Sequence, residues 1–319
     1  MKTVAFHTLG CKVNTYETEA MQQLMESAGY KCVEFTKRAD VYIINTCSVT
    51  NIADRKSRQM LHRARKMNED AIVVAAGCYV ESAKDKIDED LSIDIIVGNN
   101  NKNDIVNIIN EYLQDKIKNK FIIDINKETE YEEFNISKIN DHTRAFIKVQ
   151  DGCNQFCSYC IIPFTRGRVR SRKMENIIDE VKNLSASGYK EIVLTGIHLS
   201  SYGVDFLDES YNKRMEKLTQ TEESDEEFVT KNELLCLIEN IANIEGIERV
   251  RIGSLEPRII QENFIKSLSK IDKFCPHFHL SLQSGCDKTL KSMNRKYTAD
   301  EFYEGVKLIR KYFDSPAIT

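Results

Sequence analysis

Nowhere among the 319 residues does an apolar run reach the ~18 that would mark a membrane-spanning helix. The opening MKTVAFHTLGCKVN also lacks the apolar core and small-residue cleavage site of a secretory leader. An excess of either charge is also lacking, because 45 basic and 49 acidic residues leave a formal net charge of only −4. These absences argue against a membrane span and a secreted disulfide scaffold, and the expectation is a cytoplasmic protein with no membrane partner. Ten cysteines then need a use. In a large chain without a leader they read as reduced thiols, best employed in metal or cluster binding.

What is present is an ordinary globular balance, 41% hydrophobic and 29% charged. It can build real cores, and the length favours two domains. The charge is unevenly spread. Residues 205–227 hold nine acidic and three basic side chains, a net −6 that leaves +2 for the rest, and read as a solvated acidic insertion. Two runs are locally basic. RKSRQMLHRARK, Arg55 to Lys66, carries six cations and no acid, and RGRVRSRK, Arg166 to Lys173, carries five.

Residues 1–118 alternate strand-like and helix-like stretches: KTVAFHTLG, a helix through TYETEAMQQLMESAG stopped by Gly29, KCVEFT, DVYIINT, a basic helix, AIVVAAG, IDIIVG and a closing helix. That order predicts an open parallel sheet with helices on both faces. Residues 119–143 are charged and weakly patterned, a linker with room for one edge strand. A second alternating series fills 144–319. RAFIKVQDG, EIVLTGI, RVRIGSLEP and HFHLSLQSG read as strands. KMENIIDEVKNLSASG reads as a helix with Met174, Ile177, Ile178, Val181 and Leu184 on one face and Gly188 as its stop. TADEFYEGVKLIRKYF carries a capping box at Thr298 and Glu301, with Phe302, Val306, Ile309 and Phe313 along one stripe. The chain stops at SPAIT as a further strand begins, so four βα units and a stub predict an incomplete (β/α) barrel and a fragment of a longer protein.

Three cysteines fall in one short run, Cys153, Cys157 and Cys160 in CNQFCSYC. The C-x3-C-x2-C spacing after a strand can hold three irons of a cubane and leave the fourth open, as a catalytic metal keeps one position for substrate. A structural zinc site is the competing reading, but it takes four ligands, usually in paired C-x2-C arrangements, and no fourth Cys or His lies close by. In the C-x3-C-x-Φ-C pattern the open iron takes the amino and carboxylate groups of S-adenosylmethionine, and Tyr159 occupies the aromatic position. Cys11 follows the first strand, Cys47 ends the third and Cys78 ends AIVVAAGC. Because the carboxyl ends of parallel strands share one edge, topology predicts that these three converge there.

CNQFCSYCIIPFTRGRVRSR resembles the signature of the radical-SAM methylthiotransferases. Cys11, Cys47 and Cys78 match that family's amino-terminal ligands to a second [4Fe–4S] cluster, and TGIHL, GSLEP and LSLQSG resemble its later barrel motifs. The resemblance runs over nearly the whole chain; the end of the barrel and the small carboxy-terminal RNA-binding TRAM domain that family members usually carry are not expected within these 319 residues. TLGCKVN, Thr8 to Asn14, resembles the branch acting on N6-threonylcarbamoyladenosine at position 37 of tRNA. The isopentenyladenosine branch tends to read TYGCQMN there, and the branch acting on a ribosomal-protein aspartate SLGCPKN. The resemblance implies two [4Fe–4S] clusters, S-adenosylmethionine, a tRNA substrate and an electron donor such as flavodoxin or ferredoxin. It implies sulfur insertion at adenine C2, a carbon with no acidic proton, which is why no Ser/His/Asp or paired-carboxylate constellation is required. A ribosomal-protein aspartate, another tRNA adenosine, and a non-catalytic iron–sulfur RNA-binding protein are the rival readings.

The resemblance also points to further S-adenosylmethionine contacts at the carboxyl ends of the barrel strands, where active sites of such folds lie, with Gly196, Ser254 and Gln283 as the candidates. Arg166, Arg168, Arg170 and Arg172 alternate beside the cluster loop; if extended, they would face one way toward phosphate oxygens, against the alternative of a solvated charged surface. The run from Arg55 to Lys66 carries the same two readings. Cys32, Cys236, Cys275 and Cys286 share no spacing and are expected to be small buried hydrophobes.

Overall fold

The computed structural model describes residues 1–84, 86–115, 117, 119–134, 136, 144–206 and 232–319. Most of the predicted acidic insertion and the end of the predicted linker lie outside the described residues. The chain divides into two units, one of Met1–Asn140 with Cys160–Arg168, the other of Asp141–Tyr159 with Val169–Thr319.

In the first unit a parallel sheet forms from β1 (Thr3–Thr8), β2 (Lys31–Val33), β3 (Val41–Thr46), β4 (Ile72–Gly77), β5 (Ile95–Val97) and β6 (Asn119–Phe121), in the order β2-β1-β3-β4-β5-β6. VYIINT and IVVAAG are buried at every position, as central strands covered on both faces must be. The alternation of side chains along a strand sorts the core. Val41 and Ile43 of β3 join Met21 and Met25 of α1 (Lys12–Ser27), while Tyr42 and Ile44 join Leu61 and Ala64 of α2 (Asn51–Met67). α3 (Cys78–Ser82) is a short turn leaving β4, and α4 (Ile105–Asp115) adds Ile105, Ile108 and Ile109 to the α1 face. α1 begins three residues before the stretch predicted from sequence, with Cys11 as its N-cap. The segment returning to this unit contributes one helical turn, α5 (Ile162–Thr165).

In the second unit β7 (Ala145–Asp151), β8 (Arg170–Ser171), β9 (Glu191–Gly196) and β10 (Arg249–Ile252) form a sheet in the order β10-β9-β7-β8, with β8 antiparallel to β7. β11 (Ser254–Leu255), β12 (His277–Leu280) and β13 (Ala317–Ile318) form a second, parallel sheet. The predicted strand RVRIGSLEP is thus split at Gly253, where a Cβ would meet the Leu194 carbonyl at 3.2 Å. β7, β9, β10–β11, β12 and β13 are parallel in succession. They make an open arc, and among the described residues no strand pairing closes it. The helices α6 (Met174–Ala186), α7 (Glu233–Ala242), α8 (Glu262–Leu268), α9 (Asp287–Ser292) and α10 (Ala299–Tyr312) lie between these strands in sequence. α6 buries Ile177, Val181 and Leu184, and Gly188 at φ +94 follows its end. α10 starts with both bonds of the Thr298/Glu301 capping box. No described helix is long and apolar enough to cross a membrane.

Candidate metal centre

The order β2-β1-β3-β4 reverses direction between β1 and β3, and at such a switch point a crevice opens beyond the carboxyl ends of the strands. The three thiols sit at that edge. Cys11 precedes α1 with extended backbone, Cys47 directly follows β3, and Cys78 opens α3 at the end of β4. β1, β3 and β4 are successive neighbours, and strands lie ~4.8 Å apart. Gly10, at φ +102, passes so close to Cys47 that an added Cβ would stand 2.9 Å from its Sγ. Burial pushes the Cys47 thiol up; the backbone N–H of Val49 opposes it, Cys78 and Cys11 raise it further as like charges, and Arg166 acts downward.

No three described His, Cys, Asp or Glu side chains gather tightly enough to chelate one ion. A cubane makes a different demand, because each thiolate binds a separate iron and the ligands stand apart. Three thiols at neighbouring strand ends, with N–H donors at Cys47 and Cys78, fit that donor set. Asn14 ties the loops together, donating from Nδ2 to the carbonyls of Leu9 (2.7 Å) and Thr46 (2.9 Å). Arg166 is fully buried in the same unit. Its Nε donates to Cys78 Sγ (3.3 Å), Nη1 to Glu17 Oε1 (2.9 Å) and Nη2 to Asn14 Oδ1 (2.6 Å). Lys102, also buried, donates to Glu17 and to Asn99 Oδ1 (2.8 Å), and Asn99 Nδ2 donates toward Cys78 Sγ (3.8 Å). Glu81 accepts from the Asn99 backbone N–H (2.7 Å) and is pushed up to about 7, chiefly by burial, which that N–H and Lys102 oppose.

Sequence reasoning missed this network, although one signal was available. Glu17 shares the buried stripe of α1 with Ala20, Met21 and Met25, and an acid on an apolar stripe needs a buried partner.

In the second unit, the run after β7 is pinned at several points. Cys153 is buried and accepts from the Gln155 N–H (3.5 Å), while Cys157 is half-buried. Ser158 donates from its backbone N–H to Met293 O (3.1 Å) and from Oγ to Ser292 O (3.0 Å), and Asn294 Nδ2 donates to Phe156 O (2.9 Å). Tyr159 is 52% exposed, and its hydroxyl accepts from Arg295 Nη2 (2.7 Å). Cys160, half-buried, opens the segment that belongs to the first unit.

Gly196 ends β9, Ser254 opens β11 two residues past the carboxyl end of β10, and Gln283 lies three residues beyond β12. Ser254 and Gln283 are exposed, and the Gln283 N–H donates to Tyr297 OH (3.3 Å). The close approach at Gly196 is to Gln150, whose Cβ and Oε1 would each stand 3.1 Å from an added Cβ. His198, in TGIHL, escaped the sequence reading. Its Nδ1 is 2.6 Å from Ser201 Oγ, and its Nε2 is buried without a hydrogen-bond partner. Burial, assisted by Arg258 and Arg295, pushes it down to about 4.

The arginine stripe needs correction. Arg166, Arg170 and Arg172 are buried and only Arg168 is exposed, so the four do not form one phosphate-facing row. Gly167 at φ +68 breaks the extended alternation, and buried carboxylates claim the side chains. Arg166 pairs with Glu17, Arg170 lies 4.0 Å from Asp151, and Arg172 pairs with Glu180. The earlier basic run divides. Arg55, Lys56, Arg58, Arg63 and Lys66 are exposed on α2, whereas Arg65 turns in to Asp94 and the Ala71 carbonyl. Of the four remaining cysteines, Cys275 is buried, but Cys286 is exposed, against expectation, as the N-cap of α9.

Two family models match the chain: an uncharacterized protein family, UPF0004, over residues 3–98 and the Radical SAM superfamily over 147–319. The threonylcarbamoyladenosine tRNA methylthiotransferase MtaB of Bacillus subtilis is 40% identical over 100% of this chain and 66% of its own length. The MtaB of Aquifex aeolicus is 39% identical over 96% and 69%. A tRNA-2-methylthio-N(6)-dimethylallyladenosine synthase of Thermoanaerobacter is 36% identical over 100% and 64%. The chain therefore spans about two thirds of the length of these curated relatives. Among solved structures, the radical S-adenosylmethionine methyltransferase TsrM of Kitasatospora setae, with cobalamin and a [4Fe–4S] cluster bound, shares the fold at TM-score 0.58, with 14% identity over 98% of this chain and 67% of that one. With thiols at neighbouring strand ends in the UPF0004 region and a C-x3-C-x2-C run in the Radical SAM region, the chain belongs to the radical-SAM methylthiotransferase family.

Proposed function

We propose that this chain transfers a methylthio group to C2 of N6-threonylcarbamoyladenosine at position 37 of tRNA, using two [4Fe–4S] clusters and S-adenosylmethionine. In this reading it works in the cytoplasm and takes electrons from a flavodoxin or ferredoxin. Residues 1–118 hold one cluster through Cys11, Cys47 and Cys78; residues 144–319 hold the other through Cys153, Cys157 and Cys160. The observation that carries the reading is the convergence of Cys11, Cys47 and Cys78 on the carboxyl ends of adjacent strands. A second thiol set of this kind supplies the second cluster that the sulfur-insertion reading requires.

When bound, the clusters and S-adenosylmethionine supply hydrogen abstraction at an unactivated carbon and the sulfur group. The chain supplies position. Asn14 and Gly10 bring the loops after β1 and β3 together around Cys47. Arg295 orients the Tyr159 hydroxyl, and Gly196, Ser254 and Gln283 stand at strand ends where S-adenosylmethionine is to be held. With three of the arginines buried, phosphate contact falls to Arg168 and the outer face of α2.

Anaerobic reconstitution tests the enzyme: about eight irons per chain are expected, with reductive cleavage of S-adenosylmethionine to 5′-deoxyadenosine. Failure of that cleavage would leave a non-catalytic iron–sulfur protein. Mass spectrometry of tRNA nucleosides from cells lacking the gene tests the substrate. Loss of methylthio-threonylcarbamoyladenosine is expected. Loss of the dimethylallyl form, or a changed ribosomal-protein mass with an unchanged tRNA profile, would overturn the branch.

A further inference from the structure

Resting on the two-cluster reading above, we propose that Arg166 is a positioning residue for the amino-terminal cluster, holding the Cys78 thiolate as a ligand and setting that site's reduction potential. A thiol sulfur is a weak acceptor. Cys78 Sγ nevertheless faces two N–H donors, Arg166 Nε at 3.3 Å and Asn99 Nδ2 at 3.8 Å, an arrangement suited to a thiolate. Each arm of the guanidinium is directed: Nη1 is braced on Glu17, Nη2 on Asn14 and Nε on the sulfur. Asn14 Oδ1 also lies 3.8 Å from Cys11 Sγ, so the same guanidinium braces the loop of a second thiol.

The charge arrangement gives the inference a sign. A guanidinium remains a cation throughout the working pH range. Hydrogen bonds to ligating sulfur and nearby positive charge favour the more electron-rich state of an iron–sulfur centre and raise its potential. Glu17 acts the other way, because its single carboxylate serves both Arg166 and Lys102 and offsets their charge. Arg166 and Glu17 are therefore opposed levers on one site, whereas a role confined to bracing the fold would give their variants no such opposition.

The test uses the full chain with Cys157→Ala, so that the amino-terminal thiols hold the cluster under study. It is reconstituted anaerobically and titrated potentiometrically by electron paramagnetic resonance. Arg166→Gln is expected to shift the midpoint potential downward. Arg166→Lys, which keeps the charge but loses the directed Nε–H, is expected to shift it downward by less, and Glu17→Gln to shift it upward. Unchanged midpoints in variants that retain iron, or shifts of the same sign for Arg166→Gln and Glu17→Gln, would overturn the inference. Should Arg166→Gln fail to fold, the opposed signs of Arg166→Lys and Glu17→Gln decide it. A Cys157→Ala parent that holds no cluster overturns the two-cluster reading and this inference with it.

Discussion

The two units secure cysteines by different means. In the first, the thiols sit on the rim of a sheet whose central strands are buried at every position, and buried charged groups brace them from behind. Glu17, Lys102 and Arg166 are each almost wholly excluded from solvent. In the second, a loop is laced by backbone and hydroxyl bonds to residues 292–294, and its aromatic Tyr159 stays largely exposed. The first arrangement holds its thiols against buried charge; the second leaves Tyr159 52% exposed. Buried ion pairs stabilise only when complete, so single changes behind the thiols of the first unit should cost more than single changes within the cysteine loop of the second.

Removing a thiol should give the largest effect. Cys78→Ala in the full chain is expected to abolish methylthio transfer while S-adenosylmethionine cleavage persists, because the C-x3-C-x2-C run is untouched. Cys157→Ala is expected to abolish both. Iron content, 5′-deoxyadenosine and modified nucleoside, measured on the same preparations, check the pair. Loss of cleavage in Cys78→Ala would show that the two thiol sets do not act separately.

Glycines sharpen the same contrast. Gly10→Ala introduces a Cβ 2.9 Å from Cys47 Sγ at φ +102, and a left-handed backbone alone costs an L-residue ~1–2 kcal/mol. The expected result is lower stability and weak iron retention at the amino-terminal thiols. Gly196→Ala has no unfavourable φ to overcome and meets Gln150 at 3.1 Å, so the loss should be smaller in chemical denaturation. Equal losses would mean that the second site is as tightly built as the first.

How far these features could be read from sequence follows from the range of the interactions involved. The uninterrupted β-branched runs and the alternation of elements declare the parallel sheet, and from that topology the edge shared by Cys11, Cys47 and Cys78 follows. The capping box at Thr298 is local and equally legible. The arginine stripe misled because alternation in sequence implies one face only while the backbone stays extended, and Gly167 turns it. The destinations of Arg166 and Arg172 are carboxylates, Glu17 and Glu180, contributed by other elements, and a cation run carries no record of them. His198 was hidden for the same reason: its character comes from burial beside Arg258 and Arg295, both distant in sequence.

Acidity should move the units in opposite directions. The folded-state pKa of Glu81, about 7, lies above its ordinary 4.5, so its stabilising contribution is full below 4.5 and is lost as pH rises through 7. His198, at about 4 against an ordinary 6.5, contributes above 6.5 and loses that contribution as pH falls toward 4. Between pH 7 and pH 5 each change amounts to ~2 kcal/mol, favouring the folded first unit and disfavouring the second. Denaturant melts of the apo chain at the two pH values, repeated with Glu81→Gln and His198→Gln, should show each variant losing its own component. A pH dependence unaltered by both substitutions would refute the assignment.

The smallest effect is expected where the second unit is most open. Arg295 Nη2 donates to the Tyr159 hydroxyl at 2.7 Å, and its guanidinium lies 5.8 Å from the ring centre. A bond to a half-exposed phenol contributes ~1 kcal/mol, so Arg295→Leu should weaken S-adenosylmethionine binding only severalfold. Tyr159→Phe removes the same bond but keeps the ring, so it should reproduce most of the loss if the hydroxyl is the contact that matters. If Arg295→Leu weakens binding far more than Tyr159→Phe, Arg295 touches S-adenosylmethionine directly, and the open face of the second unit is more specialised than its exposure suggests. Isothermal titration of reconstituted protein with S-adenosylmethionine under anaerobic conditions separates the two outcomes.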